Sequence, residues 1–85
     1  MDRKQAQSIF KRVGEEFNIF YFHRYYYCQG LPLHLLKAKL RERHGQNSQI
    51  YVRVDHVVVL DGQGQYFVYL LVGHHSGKCA DFLHE

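Results

Sequence analysis

The chain has 85 residues, which gives room for one domain built on one core. Apolar residues make up 46% of it and charged residues 22%, a globular balance that excludes a disordered tail. No apolar run reaches the roughly 18 residues of a membrane span, two cysteines are too few for a disulfide scaffold, and a net charge of +3 falls short of a dedicated nucleic-acid binder.

The N-terminal segment MDRKQAQSIF carries charge with no apolar stretch behind it, so no secretory signal is expected. A cytoplasmic location with reduced thiols follows as the expectation. Asp2 is placed to cap a first helix that runs to about Phe17. Ala6, Ile9, Phe10, Val13 and Phe17 recur at helical spacing and form its apolar stripe. Gly14 weakens that helix or lets another segment approach closely.

Residues 19–27, IFYFHRYYY, are rich in aromatic and β-branched side chains, which favours a strand. No clean period separates that reading from a helix resumed after Asn18. Pro32 sits near the first turn of a second helix. Its core stripe is expected to be Leu33, Leu36 and Leu40, helped by Leu35, and Gly45 ends it. Arg41, Arg43 and His44 lie where the helix dipole favours cations.

From Gln49 to Leu60 the residues alternate as one strand, apolar on both faces toward its end. Asp61-Gly62-Gln63-Gly64 reads as a turn, and Tyr66 to Val72 returns as the second strand of a hairpin. That last strand has no proline and no charge, so it is expected to leave an unprotected edge. Residues 74–85 read as a flexible tail on a single domain spanning 1–85. The predicted fold is α+β: a small, mainly antiparallel sheet, one β-hairpin plus one further strand, packed against two helices on one face.

Two constellations bear on chemistry. Cys28 precedes the second helix, where the positive end of the dipole favours thiolate. His56 lies in the strand that leads to the glycine-rich turn. The segment YYYCQGLPLHLLKAKLRERHG followed by DHVVVLDGQGQYFV resembles the core of papain-like and transglutaminase-like cysteine hydrolases. The resemblance covers residues 24 to 68. It implies Cys28 as nucleophile and His56 as general base. The family's orienting Asp or Asn has no counterpart in the following strand, YFVYLLV, while Asp61 falls in the turn and Asp81 in the tail. The structural alternatives are a buried small thiol and a strand histidine satisfied by Asp55 or Asp61. His74, His75, Cys79 and His84 do not follow a standard zinc spacing, so neither metal nor cofactor is expected.

Binding is the leading expectation. Seven Tyr and six Phe give more aromatic surface than so small a domain readily hides. Lys37, Arg41, Arg43 and Arg53, with Tyr25 and Tyr26, are the candidate partner-binding residues. A protein partner or a second copy of the chain is expected, with nucleic acid as the further reading and no membrane association. The chain therefore reads as a small non-enzymatic interaction or regulatory domain, with a minimal Cys–His hydrolase or acyl transferase, or an inactive relative, as the alternative.

Overall fold

A computed structural model describes residues 2–27 and 31–71. Helix α1 spans Arg3–Phe17, strand β1 His23–Tyr27, helix α2 Leu33–His44, and strands β2 Gln49–Val52, β3 His56–Leu60 and β4 Tyr66–Leu71. They form an α+β domain with one four-stranded mixed sheet in the order β1-β4-β3-β2. β1 runs parallel to β4, and the other two pairings are antiparallel. No helix among the described residues is long and apolar enough to cross a membrane.

α1 starts as the sequence predicts. The Asp2 side chain accepts from the Gln5 backbone N–H at 2.8 Å, and the Asp2 N–H donates to Gln5 Oε1 at 2.9 Å, a reciprocal capping box. The helix ends at Asn18, whose φ of 54° is left-handed. There the Ile19 N–H returns to the Gly14 carbonyl at 3.0 Å. A Cβ on Gly14 would sit 3.1 Å from the Ile19 carbonyl oxygen, so glycine lets the chain reverse tightly against the helix.

The two helices lie on opposite faces of the sheet, not together on one. Ala6, Ile9, Phe10 and Val13 of α1 pack with Phe22, Val58, Val68 and Leu70. Leu36 and Leu40 of α2 pack with Tyr27, Val57, Val59 and Tyr69. This arrangement explains why β3 and β4 are apolar on both sides: each face has a helix to cover it.

Three further expectations are corrected. The single strand expected over 49–60 breaks at Arg53-Val54-Asp55, and β2 folds back on β3 with Ile50 opposite Val59 and Tyr51 opposite Val58. The Arg53 N–H donates to the His56 carbonyl at 2.9 Å, closing this turn, and Val54 is fully exposed at its tip. β4 is central, so the unprotected edge expected there does not exist; the outer strands are β1 and β2. Leu33 and Leu35 are 46% and 44% exposed, so the α2 stripe narrows to Leu36 and Leu40. The Asp61 turn forms as predicted, with Asp61 Oδ1 accepting from the N–H groups of Gln63 and Gln65 at 2.9 and 2.8 Å.

Candidate functional site

The most exposed large apolar side chain of the described residues with an aromatic ring is Phe20, at 99%, followed by Tyr21 at 78%. Both stand on the short link between α1 and β1. Phe22 is buried and packs against Phe10, ring centroids 5.9 Å apart, whereas Tyr21 meets His23, centroids 5.6 Å apart. Arg24 lies over both rings, its guanidinium carbon 4.8 Å from the Phe10 centroid and 4.9 Å from that of Phe22. Phe10, Phe22, Ile19, Phe20, Lys11 and Arg24 thus border one open cleft along α1, with Gly14 leaving its wall bare.

Sequence reasoning placed the aromatic surplus in residues 19–27 but did not single out Phe20 or Arg24. Nothing local separates Phe20 from Phe22 in the sequence: both are phenylalanines of one aromatic run, and which of them is buried is set by where the chain reverses at Asn18.

The residues predicted to bind a partner do not form one patch. Tyr25 lies on the α2 side of β1, stacked on Tyr69 at 4.9 Å. Tyr26 is in register with Leu70 and faces the α1 side. Arg53 pairs with Glu16 of α1. Lys37, Arg41 and Arg43 stand on α2, on the far side of the sheet from Arg53. Arg43 hydrogen-bonds to Tyr69, whose phenol burial holds in its neutral form. Arg43 can only donate, so the Tyr69 oxygen accepts from it, and the same hydroxyl shares a hydrogen bond with His44 Nε2, 2.5 Å away. Desolvation, and then the Arg43 charge, hold His44 below the ordinary histidine range. His44 also packs on Phe67, which stacks on His23 at 4.7 Å. This is a tightly interlocked cluster on the α2 face, which the sequence did not reveal.

His56 is the second feature of note. It opens β3 and is 4% exposed, on the α1 side of the sheet. Its Nδ1 lies 2.7 Å from Asp55 Oδ1. Asp55 also meets Arg12 at 3.4 Å, and the hydrogen bond from His56 is the main reason its carboxyl is held below the usual range. Asp55 accepts at Nδ1–H, which leaves Nε2 as the ring's other polar atom. That atom is buried and has no hydrogen-bond partner. Cys28 lies outside the described residues, so its position relative to His56 is not part of this geometry. His74, His75, Cys79 and His84 lie outside them too, and no group of metal-ligating side chains occurs among the described residues.

The chain matches no family model, no curated protein and no solved structure.

Proposed function

We propose that this chain is a small interaction domain that presents the aromatic cleft between α1 and β1 to a protein partner. The observation that carries the reading is Phe20, 99% exposed beside a cleft floored by Phe10 and Phe22. Isolated exposed apolar side chains are common, but a bare phenyl ring bordering a cleft floored by two further rings is a contiguous patch. Such patches on small domains mark association faces, and Tyr, Phe and Arg are the residues that anchor them. Arg24 and Lys11 supply the cationic rim.

A photo-reactive phenylalanine placed at position 20 tests this in cells that express the chain. The expected result is a discrete crosslinked adduct that disappears when Arg24→Glu is added. The same probe at Gln63, in the exposed Asp61 turn, should give none. Equal labelling at both positions would contradict the proposal.

The His56–Asp55 pair favours a second reading, a minimal Cys–His acyl-transfer site. A buried imidazole oriented through Nδ1, with Nε2 unengaged, is the arrangement a general base needs, and Asp55 takes the orienting role that the strand after His56 does not supply. The nucleophile in this reading is Cys28, which follows β1 in the chain. Iodoacetamide labelling at pH 7 decides it. Much faster alkylation of Cys28 than of Cys79, lost in His56→Ala, supports the reading; equal rates remove it.

A further inference from the structure

The chemistry of the cleft goes beyond the presence of apolar surface. Among the described residues the ion pairs are Arg12–Asp55, Arg53–Glu16 and His56–Asp55. Arg24 and Lys11 take part in none of them, and both are exposed. Arg24 is held by rings instead of by a carboxylate. Phe10 and Phe22 engage the guanidinium, and no carboxylate of the described residues pairs with it. A cation pre-positioned on two rings loses little side-chain freedom when it binds.

The cleft is also graded along α1. Lys11 and Arg24 mark one end. Glu15 marks the other, where the tight reversal at Gly14 and Ile19 brings Phe20. Lys11 and Glu15 are one helical turn apart, about 6 Å along the axis.

We infer that the cleft binds a peptide segment with a carboxylate side chain at Arg24 and a bulky apolar side chain against Phe20. This rests on the interaction reading above and supplies its partner's chemistry. Glu15 decides against nucleic acid as the occupant. A peptide can place its one carboxylate at the Lys11 end, whereas a phosphate backbone carries a charge at every nucleotide and would meet Glu15 as well.

The experiment is selection from a random peptide library displayed on phage, panned against the full chain and two variants, Phe20→Ser and Arg24→Glu. Matched thermal unfolding of parent and variants is the control for folding, and Arg24→Gln replaces Arg24→Glu if the reversed charge lowers stability. The parent is expected to enrich peptides that carry Asp or Glu together with Phe, Leu, Trp or Tyr. A synthetic peptide of that pattern should lose about tenfold or more in affinity on Arg24→Glu, the cost of a charge-assisted contact turned repulsive. Enrichment of apolar peptides with no acidic preference, lost in Phe20→Ser, would overturn this inference and leave the interaction reading standing. No enrichment over Phe20→Ser would overturn both. Salt-sensitive binding of a labelled oligouridine that Arg24→Glu abolishes, without peptide enrichment, would overturn the peptide inference in favour of RNA.

Discussion

Asp55 Oδ1 stands 2.7 Å from His56 Nδ1, so two consecutive residues at the start of β3 form a fixed pair with Asp55 reaching out to Arg12 and His56 turned into the core. The same ring leaves Nε2 buried without a partner. Leaving such an atom unsatisfied costs about 1–3 kcal/mol.

That asymmetry predicts a specific mutational pattern. Asp55→Ala leaves both ring nitrogens unpartnered and should destabilise the domain by about 1–3 kcal/mol. His56→Phe removes both polar atoms and should cost less. Urea unfolding of the two single variants and the double variant measures the difference. A larger loss for His56→Phe than for Asp55→Ala would show that Nε2 is satisfied in the folded protein.

The aromatic link offers a sharper contrast. Phe22→Ala empties a core position beside Phe10 and should cost about 3–5 kcal/mol. Phe20→Ala removes a ring that touches solvent and should fall within about 0.5 kcal/mol of the parent. Thermal unfolding of both variants checks this, with the two-residue separation as the internal control.

Much of this fold was legible in the sequence. The helix spacing of Ala6, Ile9, Phe10 and Val13 is unambiguous, and the Asp2 cap and the Asp61 turn have local chemistry that needs no distant partner. Alternation over 49–60 was misleading because the break at Arg53-Val54-Asp55 contains no glycine or proline. The turn is closed by the Arg53 N–H on the His56 carbonyl and braced from outside by Arg53 to Glu16 and Asp55 to Arg12, which are long-range contacts. The helices' opposite faces are equally non-local: β3 reads as apolar on both sides, but the sequence does not say which helix covers which. Of the site, the aromatic excess was visible and the roles of Phe20 and Arg24 were not, because both depend on where Gly14 lets the chain turn.

Leu33 and Leu40 test the revised α2 stripe. Leu40 is fully buried, and Leu40→Ala should cost about 2–5 kcal/mol. Leu33→Ala should cost under about 1 kcal/mol, since much of that side chain already meets water. Chemical denaturation of each variant gives the comparison; equal losses would restore Leu33 to the core.

His44 gives a pH dependence with a definite sign. Its folded-state proton affinity is lowered, chiefly by burial and then by Arg43, so the unfolded chain binds the proton more readily. The associated stability is present above the unfolded value of about 6.5 and is lost as pH falls through the lower folded value. Asp55, also depressed, adds a second loss at more acidic pH, below about 4. Unfolding midpoints between pH 7 and pH 5 should decline in the parent and decline less in His44→Gln. A midpoint that rises toward pH 5 would contradict the lowered proton affinity of His44 in the folded chain.

The binding reading depends on Phe20 standing in water while Phe10 and Phe22 do not. Hydroxyl-radical footprinting of the isolated chain at low concentration measures this directly. Phe20 and Tyr21 should oxidise at nearly the rate of the urea-unfolded chain, with Phe10 and Phe22 strongly protected. Protection of Phe20 equal to that of Phe10 would mean the chain covers this surface itself, and the proposed cleft would have nothing to offer a partner.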